Sequence, residues 1–412
     1  MTKTQSSLKM LPVQNLEALL AQTYGSDFKI YDVEWKPLTD PGENFGSLIL
    51  AINISAEQNN KERTLHLVVK LPPRSEYLLD LFDSPITFKK ELDFYSIVAP
   101  EFLKLQNENG IPREDLSIIA PRFFGGRLGL RDPQRFDDQA AIVLENLKYL
   151  NYTTKDRILG LDKEHMYFAI GHLAKLHAMT ICLKLKKPEL FQKVIMPTLE
   201  YAVDESAKDC VLDMIKKAHD DFKCMKEAKP YLDRIEKTVE YGLRTTVTPQ
   251  EPWATLVHSD FWVNNMLFKY DEFNKPINMK IVDFQLTIYD YGVNDLIFFL
   301  ISSACKEVLD DHLEDMIDLY YDSFIECLRS LSVDTDAFPK SEFLEQLNQC
   351  APIKFNQCIM MIQVIQAARG SVTEISETTD KDIFTGNIND DNYKQKMLHV
   401  LSIFDQNGWL MK

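Results

Sequence analysis

The chain has 412 residues, a formal net charge of −16, 45% hydrophobic and 26% charged residues. That length and composition suit a soluble globular protein with ample core, in two domains or two lobes. The acidic balance argues against a general nucleic-acid binder, which needs a basic face.

The opening MTKTQSSLKMLPVQNLEALL has no continuous apolar segment, so no secretory signal is expected. FKIYDVEWKPL (Phe28–Leu38) alternates as a strand does. TDPGENFGS (Thr39–Ser47) is a turn-rich break holding Gly42 and Gly46. LILAINIS (Leu48–Ser55) and TLHLVVKL (Thr64–Leu71) are strands joined by a polar loop, AEQNNKER. Ser84-Pro85 opens a helix whose Phe88, Leu92 and Tyr95 share one face, and Pro100 is expected to end it. APRFFGGRLGL and AAIVLENL are two further strands, the second ending at Leu144.

After Leu144 the pattern turns helical. Lys163–Leu185 is one long apolar helix, and Asp204–Leu243 is amphipathic helical material broken at Pro230. HSDFWVNN (His258–Asn265) interrupts it, followed by a hairpin of MLFKY, the turn DEFNKP and INMKIVDF. Helical patterns dominate from Asp295 onward. The longest apolar run, around Leu296–Leu300, is too short to cross a bilayer. The seven cysteines form no C-x-x-C pair, which points to free thiols in a reducing cytosol. The expectation is an α+β protein of two lobes with a protein-kinase-like fold. Residues 1–144 form an antiparallel sheet with one helix; residues 145–412 form a larger, mostly helical lobe with an insertion at 199–246.

Phosphoryl transfer needs positioned groups more than covalent chemistry. One carboxylate accepts the acceptor's hydroxyl proton, hard oxygen ligands hold Mg²⁺, and a lysine offsets phosphate charge. The sequence has one candidate for each part: Asp260 as base, Asn265 and Asp283 as metal ligands, Lys70 at a strand end, and Glu91 on the next helix to hold Lys70. Taken singly, each has an ordinary explanation. Lys70 is a solvated strand end, Glu91 a surface charge, Asp-Phe-Gln a turn, and His258 a satisfied structural histidine. Their joint order is that of a protein-kinase-like site.

Three features point away from a peptide acceptor. Position 262 is Trp where a protein kinase has lysine, only twelve positions separate Asp283 from Asp295, and an acidic helical stretch precedes the catalytic loop. HSDFWVNN, MLFKY, IVDFQ and VNDLIFFLISS, with PGENFGS, VVKLPP, KKELDFY, VLENLKYLNY and HLAKLHA, resemble the ecdysteroid kinase-like family of arthropods, a relative of choline kinases and aminoglycoside phosphotransferases. The resemblance covers the chain to about residue 305.

That resemblance implies ATP as phosphate donor, Mg²⁺ at Asn265 and Asp283, and Asp260 as catalytic base. It implies that Lys70, paired with Glu91, meets the α/β-phosphates, that the backbone of Asn44, Phe45, Gly46 and Ser47 covers them, and that Glu145, Asn146 and Leu147 touch adenine. Ser259 stands where the family usually has Gly. The expected acceptor is a small lipophilic alcohol such as an ecdysteroid, and the protein is expected to be cytoplasmic and monomeric. A choline- or aminoglycoside-type kinase, and a silent pseudokinase that binds a ligand, are the alternatives.

Overall fold

The computed structural model describes residues 11–38, 46–200, 205–367 and 390–412. In chain order the N-terminal region holds α1 (Leu16–Tyr24), β1 (Lys29–Pro37), β2 (Leu48–Gln58), β3 (Lys61–Leu71), α2 (Glu76–Leu81), α3 (Ser84–Asp93), α4 (Ala99–Glu108), β4 (Phe123–Arg127) and β5 (Ala141–Glu145). The rest comprises β6 (Tyr152–Thr153), α5 (Lys163–Lys186), the short α6 (Pro188–Leu190), α7 (Glu205–Cys224), α8 (Leu232–Arg244), β7 (Ala254–Val257), β8 (Met266–Tyr270), β9 (Pro276–Ile281), β10 (Ile288–Tyr291), α9 (Val293–Ser303), α10 (Lys306–Asp311), α11 (Leu313–Ser330), α12 (Lys340–Gln366) and α13 (Asp390–Gln406). This is the expected α+β architecture, a five-stranded antiparallel sheet followed by a mostly helical region.

The sheet runs β1-β2-β3-β5-β4. Alternation along β2 puts Leu50, Ile52 and Ile54 on one face, where they pack with Leu67 and Val69 of β3, Val143 of β5 and Leu16, Leu19 and Leu20 of α1. Ile142 and Leu144 point the other way, into the main core with Phe88, Phe94 and Phe102. Lys70 pairs in register with Ile142, next to Val69, so its side chain leaves the sheet toward α3.

Three local features differ from expectation. The loop between β2 and β3 is only Asn59-Asn60, and the strands run through the rest of AEQNNKER. Both asparagines have positive φ, 52° and 58°, the condition for a type I′ hairpin turn. Pro100 does not end the helix. A π-helical turn, Phe94–Val98, absorbs it, and α4 continues to Glu108. Pro100 lies in the first turn of α4, where its missing N–H costs little.

The region also holds α1, α2 and α4 besides the one helix expected, α3. Helix α1 covers the edge strand β4. Thr23 Oγ1 donates to Phe124 O at 2.7 Å, and the Gln22 amide exchanges two 3.1 Å bonds with the backbone of Gly126. A Cβ on Gly125 would lie 2.1 Å from Leu19 O, a backbone atom that cannot rotate away. Gly125→Ala is therefore expected to lower stability by about 1–3 kcal/mol, the usual range for overpacking, seen as a lower urea midpoint with unchanged slope.

In the helical region α5 and α9 form the centre, and α9 is buried along its whole length. The phenylalanines of α9, α11 and α12 and of the turn before α12 are core: Phe298, Phe299, Phe324, Phe338, Phe343 and Phe355 are all buried. Among the described residues, α5 alone has the length and apolarity to cross a membrane, and 72% of its most apolar stretch is buried inside the protein.

Candidate active site

Five of the residues singled out in the sequence come from four separated elements and meet in one place. Lys70 lies on β3, one residue before its end, and its Nζ lies 2.5 Å from Glu91 Oε2 on α3 and 2.7 Å from Asp283 Oδ1 after β9. Lys70 and Glu91 are almost fully buried, while Asp283 keeps 21% of its side chain exposed. A buried cation with a single carboxylate would be neutral overall; two carboxylates leave an excess negative charge. Burial alone would lower the Lys70 pKa, but Asp283 and Glu91 outweigh it and hold the ammonium protonated. Burial pushes the Glu91 carboxyl up to about 7, against the pull of Lys70.

Helix α3 is fixed to this cluster twice. Glu91 reaches Lys70, and the adjacent Lys90, also buried, donates to Thr287 O at 2.9 Å in the turn after Asp283. Burial lowers the Lys90 pKa to about 8. Phe284 is fully buried and stacks on Phe94 of the π-helical turn, with ring centroids 3.4 Å apart and planes 8° apart. Asp283 adopts φ 69° and ψ 60°, a left-handed conformation that Asp tolerates better than most residues. The aromatic wedge and the strained backbone together aim the carboxylate back at Lys70.

Asp260 lies on the loop after β7. Asn265 Nδ2 donates to both Asp260 O and Asp260 Oδ2 at 2.9 Å and braces the carboxylate. Burial, followed by the like charge of Asp283, raises the Asp260 pKa to about 7. The Asn265 backbone carbonyl accepts Val282 N–H at 3.0 Å, which ties the loop to the strand that carries Asp283.

The loop backbone rests on a residue to which the sequence had assigned no role. Asp295 opens the apolar helix α9 and is buried. Its Oδ2 accepts the His258 N–H at 2.5 Å, and its Oδ1 the Ser259 N–H at 2.8 Å. The available signal was a carboxylate on an otherwise apolar helix, which must find partners. Ser259 has φ 65°. A side chain in left-handed backbone costs roughly 1–2 kcal/mol, a strain glycine would not carry. Gln357 Nε2 on α12 supports the same turn by donating to Ser259 O at 2.9 Å. His258 is only half satisfied. Its Nε2 pairs with Val282 O at 3.1 Å, and its buried Nδ1 has no partner among the described residues.

The remaining candidates are distributed as follows. Asn44 and Phe45 lie outside the described residues. Gly46 and Ser47 lead into β2; a Cβ on Gly46 would be 3.5 Å from the Gln285 side chain and 3.6 Å from Phe82, so the third residue of Asp-Phe-Gln lies beside the glycine turn. Glu145 ends β5. Asn146 Oδ1 caps the next turn by accepting Tyr149 N–H at 3.1 Å, and Leu147 packs with Tyr152, Leu267 and Val282, the neighbour of Asp283. The 145–147 segment therefore adjoins the cluster from the sheet side.

Asp283 and Asn265 supply carboxylate and amide oxygens, the hard ligand type Mg²⁺ takes, and the crowding of Asp260, Asp283 and Glu91 is the charge state a divalent cation relieves. The residues present fit such an ion.

A search of curated proteins finds no match. Similar solved structures include an ethanolamine kinase of Plasmodium vivax (12% identity, TM-score 0.43, 91% of this chain and 84% of that one). Others are the APH(2″)-IIa protein of a gentamicin complex (14%, 0.32, 77% and 96%) and a choline/ethanolamine kinase family protein from Mesorhizobium loti (10%, 0.37, 90% and 88%). The model of the ecdysteroid kinase-like family matches residues 41–333, a span that holds Lys70, Glu91, Asp260, Asn265, Asp283 and Asp295. The chain belongs to the ecdysteroid kinase-like family.

Proposed function

We propose that the protein is an ATP-dependent kinase of small hydroxylated molecules. The observation that carries this reading is Lys70 Nζ held between Glu91 and Asp283, beside a loop on which Asp260 is braced by Asn265. In this reading Lys70 meets the donor phosphates and Glu91 keeps it in place. Residues 44–47 cover the phosphates and 145–147 border the base. Asn265 and Asp283 would hold Mg²⁺, which when bound offsets charge on the β- and γ-phosphates. Asp260 accepts the proton of the acceptor hydroxyl as its oxygen bonds to the γ-phosphorus and the bond to the leaving ADP breaks. A base with a pKa near 7 suits that task at neutral pH. Residues 1–144 form the nucleotide lobe and 145–412 the lobe of the catalytic loop and acceptor, in a monomeric, cytoplasmic protein.

The acceptor proposed is a neutral, lipophilic alcohol such as an ecdysteroid. Two observations support a small molecule. Only residues 284–294 lie between Asp283 and the helix residue Asp295, and they are consumed by a short turn, β10 and the start of α9. On the loop side, α12 reaches Ser259 through Gln357, to which Lys354 also donates, and partly exposed Ile353, Met360 and Val364 lie along the same helix. The test is competition in one reaction between an ecdysteroid, choline, an aminoglycoside and a protein-kinase peptide, each product read by mass. A phosphate on the ecdysteroid in preference to the others is expected. Preference for choline or the aminoglycoside would move the protein to a cation-specific class, and labelling of the peptide would overturn the small-molecule reading.

A further inference from the structure

Behind the catalytic loop lies a chain of buried polar contacts that phosphoryl transfer does not itself require. Asp295, which receives the backbone N–H groups of His258 and Ser259, also contacts His177 Nε2 of α5 at 3.2 Å. His177 Nδ1 in turn lies 2.6 Å from the Tyr320 hydroxyl of α11. All three side chains are buried. Thr255 Oγ1 donates to His177 O at 2.8 Å and fixes the helix backbone at that point. The contact between His177 and Tyr320 also depends on Gly292, since a Cβ there would lie 2.6 Å from Tyr320 Oη and 2.7 Å from His177 Nδ1.

We propose that Tyr320 and His177 are positioning residues that set the catalytic loop through Asp295. The logic is tautomeric. Tyr320 donates its O–H to His177 Nδ1, so the ring proton resides on Nε2 and faces the Asp295 carboxylate. The opposite tautomer would turn a lone pair toward that carboxylate. With one oxygen held by His177, the carboxylate keeps the rotamer that presents both oxygens to the loop. The loop needs that restraint because Ser259, beside the proposed base, sits at φ 65°, a conformation an unrestrained serine leaves readily. The kinetic part of this inference rests on the kinase reading; the structural part does not.

The test uses the full-length protein and the Tyr320→Phe variant, which removes one hydroxyl at nearly constant volume. Two readings are taken: hydrogen exchange of the His258 and Ser259 amides, and steady-state turnover of Mg·ATP. The expected result is exchange about tenfold faster at those two amides, with β2 and β3 amides unchanged. kcat falls about tenfold while KM for ATP stays within about twofold. His177→Gln, which can still place an N–H near the Nε2 position, retains more turnover than His177→Asn, whose shorter side chain cannot. If Tyr320→Phe folds and leaves both amides protected as in the wild type, the proposal is overturned. A wild type that does not turn over ATP would count against the kinase reading, while the exchange measurement would still decide whether Tyr320 restrains the loop.

Discussion

Replacing Asp283 by Asn is expected to remove nearly all phosphoryl transfer, by about 10³-fold or more. Asn is the informative substitution because it tolerates the φ of 69° at this position and matches the shape of Asp; alanine would add backbone strain to the loss of charge. The change removes the carboxylate from Lys70 and from the proposed Mg²⁺ site together. Charge stabilisation by such an ion amounts to several kcal/mol, which is the source of the 10³. Affinity for Mg·ATP should weaken as well, measured by titration calorimetry, and EDTA should reproduce the loss in the wild type. Turnover within tenfold of the wild type, or activity that survives full chelation, would remove Asp283 from this role.

The second large effect is at the proposed base. Asp260→Asn should lower kcat by roughly 10²–10⁴, the span of a general base. An amide oxygen at this position can still accept from Asn265 Nδ2, so the loop should keep its shape. Mg·ATP affinity should change by less than about twofold, because the base faces the acceptor rather than the nucleotide. A variant that loses nucleotide affinity as sharply as turnover would mean that Asp260 belongs to the nucleotide site.

How far the sequence foretold these residues depends on where each signal lies. Lys70, Glu91, Asp260, Asn265 and Asp283 were legible because motif order along the chain survives without knowledge of the fold, and the structure brings all five together. The sheet is legible from alternation in β1 and from the strand-rich apolar segments of β2 and β3. Its hairpin is tighter than the polar stretch AEQNNKER suggests, because Asn59-Asn60 between two strands satisfy a two-residue turn. Pro100 locally signals a helix end, but a π-helical turn accommodates it, and Phe94 of that turn stacks on Phe284, 190 positions away in sequence.

Helix α1 was missed although Leu16, Leu19 and Leu20 follow helical spacing, since nine residues are marginal alone and the helix is stabilised by β4. Asp295, His177 and Tyr320 lie on three helices, and nothing in the local pattern links them. Their pairing is a tertiary fact, and a buried carboxylate on α9 was the one hint.

The site of Lys70, Asp260 and Asp283 is proposed to move the γ-phosphate of ATP to a hydroxyl. The most direct test is to incubate the protein with γ-labelled ATP, Mg²⁺ and a panel of hydroxylated metabolites, alongside Asp260→Asn and Asp283→Asn, and to follow the label. The account predicts label on an organic product for the wild type only, abolished by EDTA. Label found nowhere but in ATP and inorganic phosphate across a panel that includes ecdysteroids, choline and aminoglycosides, or transfer that persists in both variants, would contradict it.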